Sequence, residues 1–238
     1  MKNYISINDI DNINTWIGEA IKIKQNRLKN KELGKNKTLG LLFFNSSLRT
    51  RLSTQKAALN LGMDPIVMNV SGDAWGIEFG DGTIMDGNTA EHIKEAAAVV
   101  SQYCDIIAVR AFPSLTDKEK DESEHVLKSF IEFASVPVVS MESATGHPLQ
   151  GLTDAITIFE NSTKKKPKVV LSWAPHIKAL PHAVANSFVQ AMQKMDVEFV
   201  ITNPEGYNLN SEITKKTTIY HNQKEAFKDA DFIYTKNW

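Results

Sequence analysis

Apolar positions along the chain follow two rhythms. Short unbroken apolar runs recur at 38–44, 66–70, 106–111 and 137–141, then at 169–173, 198–202, 219–221 and 232–235. Between them, apolar residues return every three to four positions over 11–25, 49–61, 90–103, 125–134, 151–161, 183–195 and 224–229. The first rhythm predicts strands buried on both faces, and the second predicts amphipathic helices. Strands alternating with helices predict parallel sheets covered on both sides. Asn88 and Glu91 have capping-box spacing, so the helix over 90–103 is expected to open there. A Gly-rich loop over 71–88 carries several acids and an exposed-looking Trp75, and loops of that length are usually functional or mobile.

The pattern divides in two: an α/β fold of two doubly wound parallel-sheet domains, 1–150 and 151–238. The last strand runs into Lys236-Asn237-Trp238 with no helix after it, so the second domain is expected to be incomplete in this chain.

Composition narrows the classes. With 238 residues, 42% hydrophobic and 23% charged, the chain has an ordinary soluble make-up. A net charge of -1 gives nucleic acid no electrostatic footprint. The single cysteine, Cys104, cannot form an internal disulfide, and its apolar neighbours read as core. MKNYISINDI is too polar for a signal peptide, and no apolar run approaches ~18 residues, so a cytoplasmic location off the membrane is expected. The run Lys164-Lys165-Lys166-Pro167-Lys168 reads as a solvated turn. Nucleotide P-loop and dinucleotide fingerprints are absent, as are spaced metal ligands, so neither cofactor nor metal is expected.

The chemistry sits at the ends of predicted parallel strands, where open α/β sheets bind ligands. After the first strand comes Asn45-Ser46-Ser47-Leu48-Arg49-Thr50-Arg51, a capped helix start with two arginines in its first turn. The helix dipole disfavours cations there, unless an anion rests on the free N–H groups and the guanidinium groups close over it. Arg110 continues a buried strand and needs a counter-charge. Glu142 and His147-Pro148-Leu149-Gln150 follow the strand over 137–141, and Trp173-Ala174-Pro175-His176 follows the next. Together they suit a small phosphorylated substrate, and no nucleophile–base pair accompanies them. A non-enzymatic anion-binding fragment stays open on these residues alone.

Ser47-Leu48-Arg49-Thr50-Arg51, a later strand-end arginine and then HPLQ resemble the aspartate and ornithine transcarbamylases, in order along the whole chain. Phe44 to Arg51, Trp75-Gly76-Ile77-Glu78-Phe79 and Met85-Asp86-Gly87 resemble the branch acting on N-acylated ornithine. The resemblance implies that Ser47, Leu48, Arg49 and Thr50 hold the phosphate of carbamoyl phosphate. It implies that Arg110, His147 and Gln150 hold the carbamoyl end, with Thr50, Arg110 and His147 catalytic. Trp75 would reach into the site of a neighbouring subunit, since the family builds its sites at trimer interfaces. Glu142, His176 and Lys236 would face the acylated amino acid. The acetyl-specific pattern carries an acid where this chain has Ala90. A neutral Ala90 at a helix N-terminus would suit a succinyl carboxylate, so succinylornithine is expected over acetylornithine. Transcarbamylation of plain aspartate or ornithine would not use the Trp75 loop. The family also carries further substrate contacts and a final helix that follow the last residue here.

Overall fold

Helix α1 (Ile13–Gln25) buries Ile13 and Ile17 and places Lys22 and Lys24 in its last turn, where the dipole favours cations. The first apolar run then becomes strand β1 (Thr38–Phe43), buried from Leu39 to Phe43. A computed structural model describes residues 2–70 and 75–238. Helix α2 (Leu48–Leu61) follows, closed by Gly62 at φ 81°. A side chain at Gly62 would meet the Lys31 carbonyl oxygen at 2.0 Å, so glycine is required there twice over. Next come β2 (Asp64–Asn69), a two-residue ladder of β3 (Ile77–Glu78) with β4 (Glu91–His92), and α3 (Ile93–Tyr103). Strand β5 (Ile106–Arg110), short α4 (Lys118–Glu122), α5 (His125–Phe133) and β6 (Val138–Glu142) complete this half.

The first sheet is wholly parallel, in the order β2-β1-β5-β6. Its core joins Leu42, Ile107 and Val109 to Ile93, Ala97 and Val100 of α3 and to Leu127 and Phe130 of α5. These helical residues recur at the spacing of one apolar stripe. Cys104 lies in the same cluster, and burial pushes its thiol pKa upward.

One expected element is corrected. The 90–103 helix opens at Ile93 and not at Ala90, and the Asn88–Glu91 capping box does not form. Ile77 packs into the core, so the Trp75 loop takes up Glu91–His92 as a ladder partner. His92 caps the helix instead, its Nδ1 accepting from the Lys94 amide at 3.3 Å.

The second sheet is built from β7 (Lys168–Trp173), β8 (Glu198–Thr202), β9 (Thr218–Tyr220) and β10 (Phe232–Lys236), parallel in the order β10-β7-β8-β9. Its helices are α6 (Pro148–Asn161), α7 (Ala183–Lys194), α8 (Ser211–Thr214) and α9 (Gln223–Phe227). Helix α6 begins three residues before the expected 151. Proline is at home at the first helical position, where its missing N–H would have no partner, and His147 stands just outside. Phe188 of α7 stacks on Tyr234 of β10 with ring centres 4.2 Å apart.

The chain folds as two compact units. One is the chain up to Ile5 with Lys22–Ala144; the other is Ser6–Ile21 with Thr145–Trp238. No helix among the described residues is long and apolar enough to cross a membrane.

Helices α6 and α7 approach at Gly151. A Cβ there would stand 2.7 Å from the Ser187 carbonyl oxygen and 3.0 Å from Ile7. Backbone cannot yield as a flexible side chain can, so the clash outweighs the roughly 1 kcal/mol that alanine gains over glycine in a helix. Gly151→Ala is expected to lower Tm by about 3–8 °C in thermal denaturation.

Candidate active site

The order β2-β1-β5-β6 makes a switch point between β1 and β5, where chain direction around the sheet reverses. A crevice opens at the carboxyl ends of strands at such a point. Phe43 and Arg110 are register partners there, and the Phe44 amide donates to the Arg110 carbonyl at 2.9 Å. Past β1, Ser47 caps α2: its Oγ accepts from the Thr50 amide at 3.3 Å. The amides of Leu48 and Arg49 remain at the open end of the helix, as they must in any α-helix. Asn45 is not the cap; its Oδ1 accepts from the Phe112 amide at 2.6 Å, tying the loop after β1 to the loop after β5. The guanidinium of Arg49 is exposed and has no hydrogen-bond partner among the described residues. Arg51 reaches Asn69 Oδ1 at 3.5 Å and so orients this corner.

Arg110 is 6% exposed. Its Nη1 pairs with Glu142 Oε2 and also reaches the Thr50 hydroxyl at 3.5 Å, while its guanidinium lies 4.3 Å from the centre of the Phe112 ring. Its Nε makes no hydrogen bond among the described residues. A buried cation therefore stands beside a helix N-terminus with Glu142 as its carboxylate partner and an Nε–H left to donate. Glu142 supplies the counter-charge that the sequence demanded for Arg110, because β6 lies next to β5 and the register shift after Val109 sets Glu142 opposite Arg110.

In the second unit, the His147 amide donates to Ser187 Oγ at 2.8 Å, which anchors the start of α6. Gln150 Nε2 donates to Asp154 Oδ1 at 2.8 Å, one turn along. Asp154 is 8% exposed. Burial raises its pKa to about 6, against the lowering effects of Gln150 and Tyr234, and burial with the Asp154 charge pushes the Tyr234 phenol upward. A carboxyl whose folded pKa lies above its unfolded value favours folding only while protonated, so stability falls as pH rises from about 4 to about 6. The cost of ionising it in the fold is about 3 kcal/mol. Asp154→Asn is expected to flatten that stretch of the stability–pH curve in urea denaturation and to raise stability at pH 7 by about 1–2 kcal/mol.

The second sheet has its own switch point, between β7 and β10. Trp173 and Lys236 are register partners there; Ala174 N donates to the Lys236 carbonyl at 3.0 Å, and Asn237 Nδ2 donates to the Ala174 carbonyl. A cleft of about 710 Å³ is lined by Trp173, Pro175, Asn203, His221, Gln223 and Lys224 among others. Asn203 and His221 were not singled out from the sequence, although they follow β8 and β9 by the same strand-end rule; His221 Nδ1 lies 2.9 Å from the Asn203 carbonyl. His176 is exposed, and its Nδ1 is engaged locally with the backbone of Lys178.

In the loop after β2, residues 71–74 lie outside the described residues. Trp75 is half-buried against the first unit's core, contrary to its exposed look in the sequence. Glu78 Oε1 accepts from the amides of Phe79 and Gly80, which holds its carboxyl below the usual range. Ala90 is exposed, and its amide donates to the Gly76 carbonyl at 3.0 Å. It stands three residues before α3, so the expected helix-dipole pull of Ala90 on an anion is withdrawn.

Comparison with known proteins gives this arrangement a lineage. The family model for the aspartate/ornithine carbamoyltransferase carbamoyl-P binding domain matches residues 2–160. An N-succinylornithine carbamoyltransferase of Bacteroides fragilis is 50% identical over 238 residues, covering 100% of this chain and 75% of the relative. An N-acetylornithine carbamoyltransferase of Xanthomonas campestris pv. campestris is 37% identical, over 100% of this chain and 74% of the relative. A crystal structure of an N-acetyl-L-ornithine transcarbamylase, with a glutamate replaced by serine and complexed with carbamyl phosphate and N-succinyl-L-norvaline, aligns at TM-score 0.89 and 35% identity, over 100% of this chain and 76% of that one. The helix cap and buried arginine of the first sheet thus lie inside a matched carbamoyl-phosphate-binding domain, and the chain belongs to the aspartate/ornithine carbamoyltransferase family.

Proposed function

We infer that this chain transfers the carbamoyl group of carbamoyl phosphate to the δ-amine of N-succinyl-L-ornithine, giving N-succinyl-L-citrulline and phosphate in arginine biosynthesis. The observation that carries this is the β1/β5 switch point, where a capped helix start meets a buried arginine within a chain 50% identical to an N-succinylornithine carbamoyltransferase. Identity to the N-acetylornithine enzyme is lower, at 37%.

In this reading Ser47, Leu48, Arg49 and Thr50 hold the phosphate with amides, hydroxyls and a guanidinium. Arg110, His147 and Gln150 hold the carbamoyl end. The neutral δ-amine attacks the carbamoyl carbon, a nitrogen–carbon bond forms, and the carbon–oxygen bond to phosphate breaks. The electron pair leaves with phosphate, which takes up the proton that the amine gives up. Negative charge grows first on the carbamoyl oxygen and then on phosphate. Thr50, Arg110 and His147 are the donors aimed at it, and fixed donors lose little energy in reorganising as the charge appears. Bringing the two substrates together supplies most of the remaining acceleration.

Glu142, His176 and Lys236 face the acylated amino acid. Lys236 is supported by its place at the second switch point. Glu142 also neutralises Arg110, so it links the two substrates electrostatically. Trp75 packs partly on its own unit, so it is the uncovered part of its ring that is offered to the site of a neighbouring subunit in a homotrimer, and the enzyme works in the cytoplasm. Ala90 admits the succinyl carboxylate because it carries no charge, and no longer because a helix begins there. Among solved relatives, N-acetyl-L-ornithine transcarbamylases with one glutamate replaced by serine, valine or alanine are described in complex with N-succinyl-L-norvaline, which fits the loss of an acid admitting a succinyl group. A citrulline-forming assay with carbamoyl phosphate and each acceptor tests the proposal. Turnover with succinylornithine supports it, and no turnover with any acylated ornithine overturns it.

A further inference from the structure

We propose that Asp154 fixes the orientation of the Gln150 amide, so that Gln150 turns its carbonyl oxygen to the amino group of carbamoyl phosphate and selects that group over a methyl. The proposal rests on the placing of Gln150 at the carbamoyl end. The two ends of a glutamine amide are nearly the same size, and only its partners decide which way it faces. The carbamoyl amino group has only N–H donors to offer. A glutamine that met it with Nε2 would set donor against donor.

Asp154 removes that ambiguity. It lies one turn beyond Gln150 on α6, at the spacing that brings helical side chains together. An ionised carboxylate can only accept, so the group 2.8 Å from Oδ1 must be Nε2, and Oε1 is turned away from the carboxylate. Asp154 is buried, and among the described residues the groups that act on its charge are Gln150 and Tyr234, neither of them a cation. Burying a charge without a counter-ion is costly, and an apolar residue would pack there more cheaply. The raised pKa of Asp154 registers that cost. Tyr234 of β10 stands close enough for the Asp154 charge to push its phenol upward, and Gln150 supplies the hydrogen bond that the carboxylate accepts.

The test uses the full-length enzyme and two probes. One is carbamoyl phosphate, read as KM; the other is acetyl phosphate, which keeps the phosphate and carbonyl but has methyl for amino, read as an inhibition constant. Asp154→Leu is expected to raise KM for carbamoyl phosphate about tenfold and to leave acetyl phosphate within about twofold of the parent. Gln150→Ala should match it, and Gln150→Ala/Asp154→Leu should be no worse than Gln150→Ala alone. Asp154→Asn, which keeps an acceptor at Oδ1, should stay within about threefold of the parent. Should the leucine variant fail to fold, Asp154→Ser, too short to hold Nε2, carries the same expectation. Equal weakening of both probes, additive losses in the double variant, or an unchanged KM would overturn the role of Asp154. A parent enzyme that does not turn over carbamoyl phosphate would instead overturn the reading of the site on which this role depends.

Discussion

Replacing Arg110 is expected to reduce turnover by about 10²–10³, the usual effect of removing one donor from a developing oxyanion. Two consequences of the change must be separated. Arg110→Ala strands the buried carboxylate of Glu142, and breaking a buried pair costs about 3–5 kcal/mol of stability. A drop in activity could then report unfolding. Arg110→Lys separates the two. Its ammonium keeps a positive charge beside Glu142 and so keeps the fold. It cannot reproduce the planar guanidinium that meets Glu142, Thr50 and the Phe112 face together. The lysine variant should therefore show near-parental Tm with kcat lowered by about 10². Near-parental kcat in a folded Arg110→Lys enzyme removes Arg110 from the mechanism as a specific donor.

Ala90→Glu should exchange the acceptor preference. If Ala90 admits the succinyl carboxylate as proposed, a carboxylate placed there sets like charges side by side, at a cost of several kcal/mol. The kcat/KM for succinylornithine should fall by about 10² or more, and that for acetylornithine, which has no second carboxylate, by far less. Ala90 is exposed and makes its hydrogen bond through its backbone, so the substitution leaves the fold intact. Equal loss on both acceptors would show that position 90 does not read the acyl group. Initial rates with each acceptor at matched carbamoyl phosphate decide between these outcomes.

Much of the fold was legible because a strand buried on both faces leaves an unbroken apolar run. Strand β8 was read to the residue, and β1 and β7 to within one. Helix starts were harder. Glu91 had the right spacing for a capping box, but pairing with Ile77 claimed the segment, and nothing local to Asn88 reveals that ladder. The start of α6 falls outside the expected helix because His147-Pro148 reads as loop chemistry, although proline favours the first helical turn. Helix α4 buries nothing and so has no apolar stripe to betray it.

The site shows the same division. Strand ends located Ser47, Arg110, Glu142 and Trp173 from sequence alone. The partner of Arg110 did not follow, since only the register of β5 against β6 brings Glu142 to it. The grouping of Ser6–Ile21 with the second unit is likewise a long-range outcome. Asn203 and His221 were within reach of the strand-end rule, and Gln150 with Asp154 within reach of helical spacing, but neither pair is marked by an unusual residue type.

The most direct measurement offers the enzyme carbamoyl phosphate with equal concentrations of N-succinyl-L-ornithine, N-acetyl-L-ornithine and ornithine, and reads the three citrulline products by mass. N-succinyl-L-citrulline as the dominant product is the expected result. Dominance of N-acetyl-L-citrulline or of plain citrulline would contradict the assigned acceptor, and no product at all would contradict carbamoyl transfer itself.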